Sequence, residues 1–394
     1  MLHDVVIVGA KRTPVGDFLG GLSTVSPVDL GIIAVKAALE QAGVKPEQVT
    51  EVACGMIYKA GNKGNPARQI QIKSGMPETG YAYTVDQQCG SGMKAFEIAS
   101  QSIMLGKAKI AAVVGTENMS QAPYLVPNGR TGNRMGNATM VDTMLNDGLV
   151  CALAGYHMGR TAENLAEKFD ISREEQDALA FQSHTRAIKA IKEGKFKEEI
   201  VPVEVKTRKG VKVVDTDEHP RENISMEALG KMKPVFKEGG TVTAGNASGV
   251  NDGAAALILM DAETATEMGI KPLAKLVATA NAGVAPEYMG IGPAYAVPKV
   301  LDYAELTLDD IGYFELNEAF AAQFLAVNRK LNLPSDKVNA NGSGIGLGHP
   351  VGCTAARIMV SLIYELKRRQ EHYGVASLCV GGGPAIATVL ENIE

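Results

Sequence analysis

The hydrophobic positions of the chain alternate between short apolar runs and segments with helical spacing. Residues 5–8, 52–57 and 110–115 are runs of small and branched apolar side chains, a pattern typical of buried strands. Between the first two runs, residues 27–42 carry apolar side chains at helical intervals and stop at Gly43. This alternation predicts an α/β fold whose strands lie in the core.

Two strand–bend–helix–strand units occur, one in each half of the chain. In the first unit, a strand leads through residues 90–92 (Gly-Ser-Gly) into a helix that ends at Gly106. In the second unit, a strand near Val338 leads through the glycine-rich residues 339–352 into a helix at 354–369. Because a further apolar run follows each helix, the pattern predicts a duplicated fold with facing sites.

The composition changes between the two halves. Residues 119–249 combine a segment rich in Asn, Gly, Pro and Met with a helical pattern and a charged hairpin, which predicts an inserted loop domain for ligand and oligomer contacts. The N-terminal core half is then predicted to comprise residues 1–118 plus 250–270. The C-terminal core half comprises residues 271–394.

Charge and cysteine usage exclude several classes of protein. The net charge of −5 comes without a basic block, so no nucleic-acid partner is expected. No apolar run approaches the length of a membrane span, and the N-terminus lacks the pattern of a secretory signal. The five cysteines are dispersed without a C-x-x-C pair, which argues against a disulfide framework or zinc site and favours the cytoplasm.

Cys89 is the first candidate for chemistry. It stands just before a predicted helix, where unpaired N–H groups and the helix dipole favour a thiolate. Its own backbone N–H could also stabilise an oxyanion. A buried structural cysteine is the alternative. A G-x-S-x-G type of elbow is excluded, because Gln87 occupies the position of its first glycine.

His349 and Cys379 are the other candidates. The glycine-rich bend around His349 fits no G-x-G-x-x-G register and no Gly-Lys-Ser/Thr follows, so a dinucleotide or phosphate loop is excluded. A histidine satisfied within the bend remains the alternative to a functional one. Cys379 ends an apolar strand, where packing is the default, but residues 381–383 are all glycine. A second thiol near a Cys–His pair would act as an acid or base.

Four blocks of the sequence, in this order, resemble the signature blocks of the thiolases. They are residues 89–92 (Cys-Gly-Ser-Gly), 317–320 (Asn-Glu-Ala-Phe), 348–352 (Gly-His-Pro-Val-Gly) and 379–383 (Cys-Val-Gly-Gly-Gly). Further similarity at residues 12–14, 119–123, 156–159, 215–218 and 243–248 extends it over essentially the whole chain. Pro384, Cys353 and the order Gly-Ser-Gly-Ile-Gly at 342–346 depart from the usual family pattern.

This resemblance implies a layered αβαβα fold and a reversible Claisen condensation of two acetyl-CoA to acetoacetyl-CoA and CoA. Cys89 would accept the acetyl group, with His349 assisting its deprotonation, and Cys379 would exchange a proton with the second substrate. One oxyanion hole would use His349 and a water held by Asn317. The other would use the backbone N–H groups of Cys89 and Gly381.

The resemblance also implies where the substrate binds. Glu318 would orient the asparagine or the base. Coenzyme A would contact the inserted domain through Arg221, Ser248 and His157. The acyl end would be lined by Met158, Met289, Ala319 and Phe320.

Coenzyme A thioesters would be substrates, and neither a metal nor a redox cofactor is expected. The expected partners are acetyl-CoA, acetoacetyl-CoA and coenzyme A, with the chain assembled as a homotetramer, a dimer of dimers. A degradative 3-ketoacyl-CoA thiolase is the alternative enzyme. A non-catalytic acyl-CoA-binding relative is opposed by the presence of both cysteines, and a ketoacyl synthase by a cysteine where that class has a second histidine.

Overall fold

The protein, described here as a computed structural model over residues 2–393, is built from fourteen strands and eleven α-helices. The strands are β1 (Val5–Arg12), β2 (Gly16–Asp17), β3 (Glu51–Gly55), β4 (Tyr81–Val85), β5 (Ile110–Asn118), β6 (Tyr124–Leu125), β7 (Val141–Asp142), β8 (Val203–Thr207), β9 (Gly210–Val214), β10 (Asn251–Asp261), β11 (Ala274–Gly283), β12 (Ile311–Leu316), β13 (Tyr373–Cys379) and β14 (Pro384–Asn392). The helices are α1 (Pro27–Ala42), α2 (Pro66–Lys73), α3 (Ser91–Met104), α4 (Met158–Lys168), α5 (Arg173–Lys192), α6 (Met226–Gly230), α7 (Ala262–Glu267), α8 (Pro293–Ala304), α9 (Ala321–Leu331), α10 (Gly344–Leu347) and α11 (Val351–Arg369). No helix in this range is long and apolar enough to cross a membrane.

The ten-stranded sheet consists of two half-sheets joined at a narrow seam. The N-terminal half has the order β4-β3-β5-β10-β1, with the short β2 also paired to β10, and the C-terminal half has the order β11-β14-β13-β12. In each half the parallel strands lie on one side, because β3 is parallel to β4 and β5, and β12 is parallel to β13. The seam is the antiparallel pairing of β1 with β11, which involves only two residue pairs.

The helices cover both faces of each half-sheet. Alternate residues of β1 point to opposite sides: Val6 and Val8 pack in a cluster with α1 and α2, whereas Val5 and Ile7 pack in a cluster with α3 and α11. That second cluster also contains Leu378 and Ile386 of the C-terminal half-sheet, so α3 and α11 form a layer between the two halves. Helices α8 and α9 cover the remaining face. The predicted αβαβα layering is therefore confirmed.

Helix α11 is almost entirely buried, and glycines occupy the positions where neighbouring elements approach it most closely. Every residue from Val351 to Leu366 is buried. A Cβ on Gly92 of α3 would lie 2.9 Å from the Ala356 nitrogen, and one on Gly115 of β5 would lie 2.9 Å from the Gly352 oxygen. The missing side chains thus allow the backbones of two elements to approach the helix closely.

The predicted strand near Val338 is not formed. Val338 makes a single bridge to Phe314, and the chain then turns through Asn339, whose φ is 49°. The Asn339 side chain accepts from the Leu316 N–H at 2.9 Å and donates to the Leu316 carbonyl at 2.7 Å. A side chain therefore makes the backbone hydrogen bonds that a strand would have made.

Residues 119–249 are attached to the half-sheet by a buried ion cluster. The Arg12 guanidinium at the end of β1 binds both carboxylate oxygens of Asp217, at 2.7 and 2.9 Å, and donates to Glu199 at 2.7 Å. All three side chains are buried. The bidentate geometry fixes the orientation of the segment that follows the β8–β9 hairpin.

The close approach of α11 generates a stability prediction. Gly92→Ala should lower the free energy of unfolding by about 1–3 kcal/mol, because the added methyl overlaps α11. Gly64→Ala is the matched control, since nothing lies within 4 Å of its added Cβ. Thermal unfolding of the two variants measures the difference, and equal midpoints would contradict the prediction.

Candidate active site

The candidate residues gather where the parallel strands of both half-sheets end. Cys89 lies in the turn after β4, which ends at Val85, and Cys379 is the last residue of β13. Asn317 follows β12, and its N–H donates to the Ser377 carbonyl of β13 at 3.0 Å. Ligands in open α/β sheets bind at the carboxyl ends of the strands. The two facing edges therefore form one site.

A tight turn presents the Cys89 side chain at the start of α3. Gln88 has a φ of 47°, an uncommon conformation for a residue with a side chain. The Ser91 hydroxyl supports it by donating to the Gln88 carbonyl at 2.6 Å and accepting from the Gln87 N–H at 2.9 Å. The half-buried Cys89 is thereby held between the sheet edge and the helix N-terminus.

Burial and nearby hydrogen-bond donors have opposite effects on the pKa of the Cys89 thiol. Burial raises its pKa to about 11, although the backbone N–H groups of Gly381 and of Cys89 itself act in the opposite direction. Both donors favour the anion that forms on deprotonation. Cys379 is close enough for its pKa to be raised by Cys89 as well as by its own burial. Cys89, Cys379 and Gly381 therefore meet in one place.

The triple glycine shapes the loop that carries Gly381. Gly382 and Gly383 have φ values of 90° and 109°, which favour glycine. A Cβ on Gly383 would lie 2.2 Å from the Val284 carbonyl oxygen. Pro384 is compatible with this turn, because its carbonyl accepts the Val380 N–H at 2.9 Å as β14 begins.

The partners of His349 determine which ring nitrogen can accept a proton. The Thr354 hydroxyl donates to the Pro350 carbonyl at 2.9 Å, so its oxygen accepts from Nδ1–H of His349 at 2.7 Å. Nε2 then carries the lone pair and lies 3.5 Å from the Asn317 amide nitrogen. Burial, with a contribution from Arg357, lowers the His349 pKa to about 3. The ring is therefore neutral and available as a base.

Asn317 and Glu318 have different environments. The Asn317 Oδ1 atom is buried and has no hydrogen-bond partner among the described residues. A buried amide oxygen of this kind is a natural acceptor for an ordered water. Glu318 instead accepts from the Ser183 hydroxyl and the Asn339 amide, so it joins α5 to the glycine-rich bend. These contacts tie the residue that follows Asn317 to both elements.

Large apolar side chains line the site beside the two thiols. The Met158 methyl lies 2.6 Å from where a Cβ on Gly381 would be, so it occupies the space that the glycine leaves. One buried cluster contains the predicted acyl-end residues together with Cys379: Met158, Met289, Ala319 and Phe320. These side chains therefore form an apolar surrounding for Cys379.

A line of aromatic rings leads away from this cluster. His157 caps α4 through Nδ1, which accepts from the Gly159 N–H at 3.0 Å, and its ring stacks on Phe236 at 4.6 Å. Phe236 in turn meets Phe320 edge to face at 6.0 Å. The Ser248 N–H donates to the carbonyl of the residue before Phe320 at 2.9 Å. Ser248 and His157 therefore both lie next to the apolar end of the site.

Arg221 lies further out. It is exposed and borders a cavity of about 190 Å³. Ala247 lines the same cavity and forms a backbone bridge to Phe320, which connects the cavity wall to the acyl end. The structure thus places Arg221 on a cavity whose wall is connected to Phe320 of the acyl end.

Four residues that contribute to this site did not stand out in the sequence: Thr354, Phe236, Asn251 and Glu117. Asn251 accepts the His349 backbone N–H at 2.9 Å and lies against Gly348, where a Cβ would meet it at 2.6 Å. Thr354 lies in the first turn of the helix that follows His349, and a hydroxyl at this spacing is a local signal for a hydrogen bond to the histidine ring. Phe236 and Glu117 act through residues far away in the sequence, so no local pattern marks them.

This fold, with a thiol beside preplaced backbone donors, is that of the acyl-transferring α/β enzymes. The thiolase N-terminal domain model matches residues 5–263, and the thiolase C-terminal domain model matches residues 270–392. The chain belongs to the thiolase family of acyltransferases.

Individual relatives are similar over their full lengths. The acetyl-CoA acetyltransferase of Chromobacterium violaceum is 50% identical and aligns with 99% of this chain and 100% of its own. The solved structure of the acetyl-CoA acetyltransferase from Syntrophomonas wolfei has a TM-score of 0.98 at 52% identity and covers 100% of both chains. The human mitochondrial 3-ketoacyl-CoA thiolase has a TM-score of 0.96 at 42% identity and covers 99% of both.

The hydrogen bond to Thr354 generates a prediction about the base. Thr354→Val keeps the shape but removes the acceptor for Nδ1–H of His349, so Cys89 alkylation by iodoacetamide at neutral pH should slow about tenfold or more. Thr354→Ser is the matched control, because it retains the hydroxyl. Mass spectrometry of the quenched protein gives the rates, and the idea is wrong if Val and Ser variants react alike.

Proposed function

We propose that the protein is an acetyl-CoA C-acetyltransferase, which reversibly condenses two acetyl-CoA into acetoacetyl-CoA and free CoA. The observation that carries the proposal is the meeting of the Cys89 thiol with the Gly381 N–H and the second thiol of Cys379. The similarity to named acetyl-CoA acetyltransferases supports the same reaction.

The first half-reaction loads Cys89. Its proton passes to Nε2 of the neutral His349, and the thiolate attacks the acetyl-CoA carbonyl carbon. A carbon–sulfur bond to Cys89 forms, the bond to the CoA sulfur breaks, and the CoA thiolate takes the proton from the imidazolium. The N–H groups of Cys89 and Gly381 stabilise the oxyanion that develops on this carbonyl.

The second half-reaction forms the new carbon–carbon bond. Cys379 first passes its proton to Nε2 of the neutral His349, and the resulting thiolate removes a proton from the methyl carbon of a second acetyl-CoA. The raised pKa of Cys379 makes this thiolate a strong base. Nε2–H of the His349 imidazolium formed in this way, together with a water on Asn317, stabilises the enolate oxygen. The enolate carbon attacks the acetyl group, the bond to the Cys89 sulfur breaks, the Cys89 thiolate takes the proton from the imidazolium, and acetoacetyl-CoA leaves. Coenzyme A thioesters are the only reactants in this scheme.

The substrate residues divide between coenzyme and acyl group. Arg221, Ser248 and His157 contact coenzyme A along the path from the outer cavity. The four apolar residues of the acyl end leave room for a short chain. The similarity to human 3-ketoacyl-CoA thiolase keeps a degradative activity on longer chains as the second candidate.

We extend the proposal to a cytoplasmic homotetramer, a dimer of dimers. The segment between β5 and α4 exposes several large apolar side chains, which is typical of an interaction surface. They are Tyr124 (58% exposed), Val126 (44%), Met135 (96%) and Met140 (64%). The five free cysteines fit a reducing compartment.

Thiolysis of acetoacetyl-CoA by CoA tests the covalent route. The wild type should turn over and carry an acetyl group after quenching, whereas Cys89→Ala should do neither, because the nucleophile is lost. Cys54→Ala, which removes another free and buried cysteine, is the control and should retain both. A folded wild type without turnover or adduct would leave the non-catalytic binding protein.

Chain-length preference is expected to depend on Met158. Met158→Ala should raise the ratio of kcat/KM for longer 3-ketoacyl-CoA over that for acetoacetyl-CoA by about tenfold, because it removes apolar volume beside Gly381. A profile that already favours longer chains in the wild type would support the degradative candidate instead.

A further inference from the structure

Glu117 is a buried carboxylate beneath the site that neither half-reaction uses. It is the penultimate residue of β5 and is fully buried. Its side chain accepts three backbone N–H groups: Ile57 at 3.0 Å, Tyr58 at 3.1 Å and Gly352 at 3.0 Å. A carboxylate with three backbone donors bridges the segment after β3, the end of β5 and the first turn of α11.

The first turn of α11 is shaped to receive this carboxylate. A Cβ on Gly352 would lie 2.6 Å from the Glu117 Oε2 atom, so glycine is required for the contact. Gly352 is also the second residue of α11, where an unpaired N–H and the positive end of the helix dipole favour a negative charge. The missing side chain of Gly352 and the positive end of the α11 dipole therefore both favour a carboxylate at this position.

The segments that Glu117 joins, residues 57–58 and the first turn of α11, lie next to the reacting groups. Gly352 lies three residues after His349, and its neighbour Val351 packs in one small cluster with Ile57, Tyr58 and the Cys89 side chain. Glu117 also acts electrostatically on Cys89, whose pKa it raises. A shift of α11 relative to the segment after β3 would therefore move the base relative to the nucleophile.

We propose that Glu117 is a positioning residue for the acyl transfer: its ionised carboxylate holds the first turn of α11, and with it His349, in register with Cys89. This inference rests on the proposed function. All three hydrogen-bond partners are donors, so the ionised form satisfies each of them, whereas a protonated carboxyl would bring one donor against another.

The Glu117 carboxyl changes its protonation state near neutral pH. Burial raises the Glu117 pKa to about 7, against the effect of the three N–H groups. The titratable groups that interact with it are Cys54, Tyr58, Asp86, Cys89 and Cys353, and Lys59 pairs with Asp86. Because the pKa is raised in the folded state, stability from this group is present at low pH and is lost as pH rises through about 7. Catalytic positioning has the opposite trend, since it needs the ionised form.

The test compares Glu117→Gln with Glu51→Gln. Glu51 is a matched control, because it is a buried carboxylate at the opposite end of β3 that accepts from Tyr81 and Tyr83. For thiolysis of acetoacetyl-CoA, Glu117→Gln should lower kcat about ten- to a hundredfold with KM changed less than about twofold. The control should leave both unchanged.

A pH series separates positioning from general destabilisation. The ratio of wild-type to Glu117→Gln kcat should grow as pH is raised from about one unit below to about one unit above the carboxyl pKa. A ratio that is independent of pH, or an equal loss in Glu51→Gln, would overturn the proposal. Glu117→Asp keeps the charge and should retain the pH-dependent rise at a lower kcat, which preserves the test if Glu117→Gln does not fold.

Hydrogen–deuterium exchange distinguishes failure of this inference from failure of the proposed function. The peptide that spans residues 349–358 should exchange faster in Glu117→Gln than in wild type and in the control, whether or not acetyl transfer occurs. Missing turnover in the wild type would reject the acetyltransferase assignment. An unchanged exchange rate for this peptide in Glu117→Gln would reject the positioning role of Glu117.

Discussion

The arrangement of the molecule depends on one buried helix. Helix α11 lies between the two half-sheets with all of its residues from Val351 to Leu366 out of solvent. The contact is possible only because Gly92 and Gly115 lack side chains where α3 and β5 approach it. Since His349 directly precedes this helix, the same close packing that fixes the layers also fixes the base.

Burial gives the reacting groups their chemistry. In water a thiol and an imidazole titrate near neutral pH, but here Cys89 and Cys379 have raised pKa values and His349 a lowered one. All three are therefore neutral before substrate binds. Ions form only as protons move between them, at positions where backbone N–H groups are already oriented to receive negative charge.

The sequence was informative where a residue carries its own local signal. Cys89 and His349 stand at helix starts in glycine-rich surroundings, and the order of the motif blocks implied that they meet. The strand expected near Val338 was wrong, because the side chain of Asn339 makes the hydrogen bonds of the ladder. Glu117 could not be predicted: it is one acid at the end of an apolar strand, and Gly352 is 235 positions away.

The strand order has a consequence for how the chain is made. Strand β1 pairs only with β10 and β11 among the described strands, and β10 also covers one edge of β5. A nascent chain that has emerged only as far as β9 therefore holds β1 without a neighbour and β5 with an open edge. Unpaired apolar edges of this kind favour aggregation. The N-terminal half-sheet can be completed only after about two-thirds of the chain has been synthesised. A chain released before that point would expose these edges, and a chain truncated within the inserted segment would lack β10 and could not complete the half-sheet.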